Sequence, residues 1–415
     1  MKDCIIRVVV KTNTFPFMKR KKDFNFSFLC RSKCGGSAYL KRYHFFGSLP
    51  KTAYWFFHVY FKARAELIWT LKIICLKLEA FKILKFGIAF FPKEDPRIIA
   101  RYIKLAENCG FDYAWVTDQF FNRDVFVTLA LAAAKTQKIK LGTGVVNPYT
   151  RHVAALASAT ATLDEVSDGR AILGIGAGGI ELKSLCLPRK KPLKACRETI
   201  QVVKRLLKNE TVSYDGEIVK LDKVKISFKA KGRVPIYLGA RGPLMFQLAG
   251  ELTDGVVTHG VTENYLKFIL QNIEKGTRRA QRSLHEIDVA IWVTGFSITK
   301  EPKIMRDVVR LSTAFAIAGT PKKAMEALNL EESRLSGIAE ALSKGELTEA
   351  TNLITDKLIG AFSIIGNEDE CISVIERLAK NGVSQVIIRP IDIEVEESIK
   401  NIGKKVIPYF RELGL

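Results

Sequence analysis

Apolar residues along most of this chain come in short runs that stop at glycine, proline or an acidic residue. Longer amphipathic stretches separate them. Lys85-Phe86-Gly87-Ile88-Ala89-Phe90-Phe91 reads as a strand. Asp95-Pro96 then opens a helix, with Asp as N-cap and Pro at the first helical position. Ile98, Ile99, Tyr102, Ile103 and Ala106 form its apolar face, and Gly110 ends it. Residues 113–117 make a second strand closed by Asp118, and a helix follows over 125–135. A third strand starts at Ile139-Lys140-Leu141 and stops at Gly142-Thr143-Gly144-Val145-Val146-Asn147-Pro148, where proline turns the chain. Thr150, Arg151 and His152 crowd polar groups just past that strand's C-terminal end. A helix from 153 to about 166 and an Asp168-Gly169 turn lead into a fourth strand at 171–176.

The phase then loosens. Residues 177–192 read as a long loop and 194–209 as an amphipathic helix. Tyr214-Asp215-Gly216-Glu217 is expected to turn a small hairpin between 211–213 and 218–221. Further strands are expected at 235–239, 255–258, 288–298 and 385–388, with helices between them and closing helices over 394–413. Residues 301–365 are helical in pattern throughout and form an insertion before the last strand. Eight strands apolar on both faces imply a parallel sheet covered on both sides. With helical connections and this length, a (β/α)8 TIM barrel is the expected α/β fold. A doubly wound open sheet is the alternative, but no Gly-x-Gly-x-x-Gly follows the first strand. The glycines 174–179 follow the fourth instead, without an acidic partner at the expected distance.

Residues 1–83 break this pattern. They are dense in aromatic residues, as in Tyr54-Trp55-Phe56-Phe57, yet keep neither period. Charged residues interrupt every stretch that could cross a membrane, and no signal-peptide layout is present. The segment therefore reads as an N-terminal extension, either disordered or translated from upstream sequence, with Leu84 an alternative start.

Charge sharpens the division. Of the net +22 over 415 residues, residues 1–83 carry 17 Lys and Arg against 4 acidic residues. The 48 basic and 39 acidic residues beyond them leave only +9, which gives no strong case for nucleic acid. The eight cysteines lack zinc-like spacing and read as reduced thiols of a cytoplasmic protein.

Ligands of such barrels sit past the strand C-termini, so candidates lie there. Asp118-Gln119 follow strand two; Asp118 is either a site residue or the cap of the next helix. Gly144, Val145 and Asn147 follow strand three, and Gly176 to Gly179 follow strand four. Gly239-Ala240-Arg241-Gly242-Pro243 follows strand five and opens a helix, a good phosphate site. His259 follows strand six. No nucleophile elbow, Cys/His pair or metal-ligand cluster stands out, and there are only five His. The pattern suits a flat phosphorylated cofactor that carries a redox reaction itself.

From Leu84 onward the chain resembles the bacterial-luciferase-like superfamily, and within it the archaeal F420-dependent 5,10-methylenetetrahydromethanopterin reductases. The resemblance rests on Lys85-Phe86-Gly87-Ile88, Gly110-Phe111-Asp112-Tyr113, Val116-Thr117-Asp118 and Asn147-Pro148-Tyr149-Thr150-Arg151. It continues through Gly169-Arg170-Ala171, residues 234–240, Asp254-Gly255-Val256 and Ala361-Phe362-Ser363-Ile364. It implies a barrel with an insertion, a homodimer or homotetramer, and coenzyme F420 (or FMN, as in the related monooxygenases) at the C-terminal face. It also implies a pterin-type substrate and no nucleic-acid or membrane partner. A non-prolyl cis peptide behind the cofactor ring maps onto Gly144-Val145. Asp118 and Gln119 map next to the ring, with Asp118 as the catalytic candidate. Gly176, Gly178, Gly239, Ala240, Arg241 and Gly242 map onto cofactor-lining and phosphate-binding positions. Asn147, Arg151 and His259 fall at the substrate entrance.

The chain also departs from the reductases. Ala89 stands where they carry an acidic residue in the first strand, Gly179 where an acidic residue is frequent, and Gln119 where His is common. Three functions remain in play: an F420-dependent reductase, an FMN-dependent monooxygenase, and a non-catalytic binding barrel.

Overall fold

Strand residues that alternate between two apolar surfaces can be buried on both sides only if the sheet closes or is covered twice. In the computed structural model of the chain they close. The structure describes residues 4–7, 26–34, 37–45, 83–119, 121–179, 181–328, 332–392 and 394–414. Eight parallel strands make the barrel: β1 (Lys85–Phe90), β2 (Tyr113–Val116), β3 (Lys140–Thr143), β4 (Ala171–Gly176), β5 (Ile236–Gly239), β6 (Gly255–Thr258), β7 (Asp288–Trp292) and β8 (Gln385–Ile388). Each pairs with the next, and β8 closes on β1 with Gln385 opposite Lys85 and Ile388 opposite Ile88. The TIM-barrel expectation holds, and the open sheet is excluded.

One strand face packs on the surrounding helices through residues such as Phe86, Ile88, Val116, Leu173 and Val256. The other fills the barrel with Ala89, Trp115, Ile172, Tyr237, Val257, Ala290, Trp292 and Ile387. Three of these are large aromatics, and glycines in register on the neighbouring strands make room for two of them. A Cβ on Gly142 would lie 2.6 Å from the Trp115 ring, and one on Gly255 2.3 Å from Tyr237. The interior is thus a packed core and not a channel.

Outside lie α1 (Pro96–Asn108), α2 (Val125–Lys135), α3 (Val153–Val166), α4 (Pro192–Leu207), α5 (Pro243–Leu252) and α6 (Glu263–Arg279). Asp95 caps α1 as expected, accepting from Arg97 N at 2.8 Å. Entry into β3 is fixed by Glu107 of α1, whose carboxylate accepts the N–H groups of Gln137, Lys138 and Ile139. Burial opposes that charge, but Lys104 and the three N–H groups outweigh it and hold the carboxyl down at about 2.

Two expectations need correction. Residues 288–298 are not one strand. The barrel strand ends at Trp292, and Phe296–Ile298 pairs instead with Ile364–Gly366 outside the barrel. Hydrogen bonding switches at Thr294, whose N–H goes to Phe362 O at 2.8 Å. The hairpin also turns later than expected, its strands being Val212–Asp215 and Lys220–Val224. Glu198 of α4 decides this, because its carboxylate gathers the N–H groups of Glu217, Ile218 and Val219 at the turn. The long loop at 177–192 contains a short helix, Glu181–Ser184. Between β7 and β8 the insertion holds α7 (Pro302–Ala318) and four shorter helices through Phe362; the helical pattern read over 301–365 stops there, because Ile364–Gly366 pairs as the outer strand.

The N-terminal segment forms a unit of its own, Met1–Ala80, in which Cys4–Arg7, Phe26–Cys34 and Ser37–Phe45 make an antiparallel sheet. The rest of the expectation for residues 1–83 falls outside the described residues. Among the described residues no helix is long and apolar enough to cross a membrane.

Candidate active site

At the C-terminal mouth of the barrel, β3 does not end like its neighbours. Gly144 donates to Val116 O at 2.7 Å, still in the ladder with β2. The Gly144-Val145 peptide is cis, as the resemblance implied. Val146 then returns to β4, donating to Gly174 O at 2.9 Å and accepting from Gly176 N at 2.7 Å. The chain between these anchors carries the Val145 side chain in front of the ends of β4 and β5. A Cβ on Gly176 would lie 2.5 Å from Val145 Cγ2, and one on Gly239 would lie 3.1 Å from it. Gly144 itself sits on the Trp292 ring, 2.7 Å from where its Cβ would be. The glycines that composition flagged at three strand ends therefore accommodate Val145 and Trp292, and together they build a flat apolar wall.

The entrance beside this wall is polar. Asn147 is buried, and its Oδ1 accepts from Tyr149 N at 2.9 Å and Thr150 N at 3.1 Å, which shapes the loop after the wall. That loop aims Arg151 at two carboxylates: Arg151 Nη2 donates to Asp118 Oδ1 at 3.2 Å and to Asp124 Oδ2 at 2.6 Å. Asp118 does not cap α2. Asp124 does, accepting from Phe126 N and Val127 N. Asp118 is left at the mouth, with its side chain only 5% exposed.

Burial raises the Asp118 carboxyl above the ordinary aspartate range, against the hydrogen bond and charge of Arg151, and the nearby Asp124 adds to the rise. Burial works on Asp124 too, but Arg151 and the two helix N–H groups outweigh it and hold it low. The pair is thus split, with Asp124 the firm anion and Asp118 the carboxyl that accepts a proton more readily. Asp118, Gln119, Asn122, Asp124, Thr150 and Arg151 line a cavity of about 320 Å³. The Thr117 and Thr150 hydroxyls are buried and meet no hydrogen-bond partner among the described residues. A larger cleft of about 640 Å³ between Cys109 and Arg411 lies by the N-terminal ends of the strands, on the face opposite this chemistry.

The remaining candidates are placed as follows. Gln119 Oε1 accepts from Asn122 at 2.6 Å, tying down the loop after β2. Gly178 has φ +71°, and Leu182 packs over it. Ala240 is buried, and Gly242 is the N-cap of α5 with no side-chain cap, so the first turn of that helix offers its N–H groups to the mouth side. Arg241 donates to Ala316 O near the C-terminus of α7, at 3.3 Å. His259 bonds through Nδ1 to Trp292 O at 3.0 Å. Burial, helped by the charge of Arg241 and opposed by that carbonyl, draws the imidazole down to about 3. It stays neutral at physiological pH and positions the Trp292 segment. Among the described residues no cluster of His, Cys, Asp and Glu is arranged to hold a metal ion.

Sequence reasoning found Asp118 and Arg151 separately. It missed their pairing and the part played by Asp124, because 33 residues separate Asp118 from Arg151 and only the barrel brings them together. It also missed Trp115 and Trp292 as the floor. The glycines opposite them, at 87, 142 and 144, were the available signal.

Residues 84–385 match the luciferase-like monooxygenase family. The chain is 40% identical over 331 residues to 5,10-methylenetetrahydromethanopterin reductase of Archaeoglobus fulgidus, covering 78% of this chain and 99% of the relative. A F420-dependent glucose-6-phosphate dehydrogenase of Amycolatopsis mediterranei is 26% identical over 335 residues, covering 77% and 96%. Among solved structures, the coenzyme F420-dependent tetrahydromethanopterin reductase of Methanopyrus kandleri superposes with a TM-score of 0.73 at 37% identity, covering 79% of this chain and 99% of that one.

Proposed function

The chain belongs to the luciferase-like monooxygenase family, and we propose that within it the protein is an oxidoreductase that uses coenzyme F420 to reduce a methylene-tetrahydropterin carrier of one-carbon units. That is the activity of a 5,10-methylenetetrahydromethanopterin reductase. One observation carries the reading: 40% identity is sustained over 99% of the length of a reductase of that name. The family's name alone would favour FMN and oxygen chemistry, but relatives named for F420 cover the same stretch of the chain.

The residues present fit a flat cofactor. The wall at Gly144-Val145, backed by Trp292, is apolar, and the unpartnered Thr150 hydroxyl and a protonatable carboxyl line the cavity beside it. When bound, F420 supplies the hydride. The chain supplies the rest. Gly144 and Val145 back the ring, Gly176 and Gly239 seat the Val145 side chain behind it, and Gly178 and Ala240 complete the cofactor side of the mouth. Arg241, with the uncapped first turn of α5 behind Gly242, takes the phosphate. Asp118 and Gln119 face the ring system, and the Asp118 carboxyl holds the proton that accompanies reduction, the role left open by Ala89. Asn147, Arg151 and His259 shape the pterin entrance and exclude water. The reading carries with it a cytoplasmic homodimer or homotetramer with no nucleic-acid or membrane partner.

A titration decides it. F420 added to the protein should bind at micromolar concentration with a change in its fluorescence, and FMN should not compete. The reduced cofactor should then be oxidised on adding methylene-tetrahydromethanopterin. Tight FMN binding without F420 binding would move the protein to the monooxygenases, and binding of neither would leave a non-catalytic barrel.

A further inference from the structure

Ile387 of β8 faces the barrel interior, so the next residue in the same phase is Arg389, just beyond the strand's C-terminal end. Ile387 lies opposite Gly87 and Ile388 opposite Ile88, which brings Arg389 alongside Ala89 of β1. Ala89 is packed in the interior and 2% exposed. The Arg389 guanidinium lies 4.8 Å over the ring of Phe91, two residues further along. Its Nη1 donates to Thr294 O at 2.8 Å.

Among the described residues no carboxylate forms an ion pair or hydrogen bond with Arg389, although the side chain is partly buried. Three other partly buried arginines have carboxylate partners. Arg151 has Asp118 and Asp124, Arg197 has Glu251, and Arg411 has Asp112. The buried Arg170 spends its donors on four backbone carbonyls and the Thr136 hydroxyl. A guanidinium has five N–H donors, and withdrawing it from water without a counter-charge is costly. Burial alone draws the Arg389 pKa below its ordinary value, with no opposing charge. The neighbouring strand position from which a carboxylate could reach it is taken by Ala89.

We propose that Arg389 binds an oxyanion, a carboxylate or a phosphate, belonging to a ligand seated in the barrel mouth. The proposal rests on reading that mouth as the F420 and pterin site. Both ligands are polyanions, so either could bring the group. A charged partner completes a planar fork that the protein leaves open, and the Phe91 ring holds the guanidinium in one plane for it.

F420 fluorescence titrations and the KM for methylene-tetrahydromethanopterin, measured on the wild-type chain, Arg389→Met and Arg389→Lys, test this. Arg389→Met should raise one of the two constants about 10- to 100-fold, the loss of one charge-assisted contact, while Arg389→Lys recovers part of it. A rise in the F420 Kd assigns the anion to the cofactor, and a rise in KM assigns it to the substrate. Constants unchanged in Arg389→Met, or equal losses in the Met and Lys variants, would overturn the proposal. An independent arm uses inorganic phosphate alone, which should raise the melting temperature of the wild type more than that of Arg389→Met. If the wild type does not bind F420, the proposed function fails, and the phosphate arm then decides Arg389 by itself: equal protection of both proteins overturns the anion site.

Discussion

Arg151 joins two carboxylates from the loop after β2, and how it is shared decides what Asp118 can do. Asp124 receives the shorter bond and two helix N–H groups besides; among the described residues Asp118 has Arg151 alone, and it is nearly out of solvent. With its carboxyl raised above the ordinary 3.8, Asp118 favours the folded state most when protonated. Its contribution is fully present below that ordinary value and is lost as pH rises through the folded-state pKa. Asp118→Asn, which cannot ionise, is therefore expected to match or exceed the wild type in stability at pH 7. The difference should vanish near pH 4. Turnover should fall by about 10²- to 10⁴-fold if Asp118 holds the transferred proton. Urea melts at the two pH values, paired with kcat–pH profiles, check both halves. A variant that melts several kcal/mol earlier at pH 7 yet turns over normally would make Asp118 purely structural. His259 stays neutral throughout this range and should add no limb to the profile. Of these side chains, position past a strand end was legible in the sequence. The division of charge was not, since it depends on contacts between loops far apart in the chain.

At the scale of elements, legibility followed local pattern. All eight barrel strands and the cap of α1 could be read from runs of apolar residues and from Asp95-Pro96. What escaped were the end of β7 and the turn of the hairpin. Both are set by partners elsewhere, Phe362 for Thr294 N and Glu198 for the turn at 217–219. The same distinction separates glycines that look alike in sequence. Gly276 of α6 lies against α5, where a Cβ would come 1.9 Å from Gln247 O, and Gly250 lies as close in return, 2.3 Å from Ile273 O. Gly360, in the insertion helix Asp356–Phe362, has nothing within 4 Å of such an atom. Gly276→Ala should destabilise the protein by about 2–3 kcal/mol, because two backbones must separate and the gain in helix propensity is smaller. Gly360→Ala should be neutral or stabilising by up to about 1 kcal/mol. Chemical melts of the two variants side by side test the pair, and similar effects at both positions would contradict the close approach of α5 and α6.

For the whole molecule, the ring of strands is complete between Lys85 and Ile388, and β8 closes directly on β1. The carbonyl of Leu84 accepts from Arg411 at 2.9 Å, so the helices at the C-terminus hold the start of the first strand. The family match begins at residue 84, and the reductase relative is covered over 99% of its length by 78% of this chain. Every side chain assigned to the site lies after residue 84. Among the described residues, the hydrophobic cluster that supports the barrel runs from Leu84 to Phe410. A protein comprising residues 84–415 should therefore melt in a single cooperative transition and bind F420 with a Kd within about threefold of the full chain's, a difference of under about 1 kcal/mol. It should also be less basic, since the excess of Lys and Arg over acidic residues is steepest in 1–83. Weak non-specific adsorption to anionic surfaces should fall accordingly, with no loss of F420 affinity. Parallel fluorescence titrations of the two proteins at matched salt make the comparison. A Kd more than tenfold weaker for residues 84–415, with the melt intact, would show that the N-terminal unit takes part in the site.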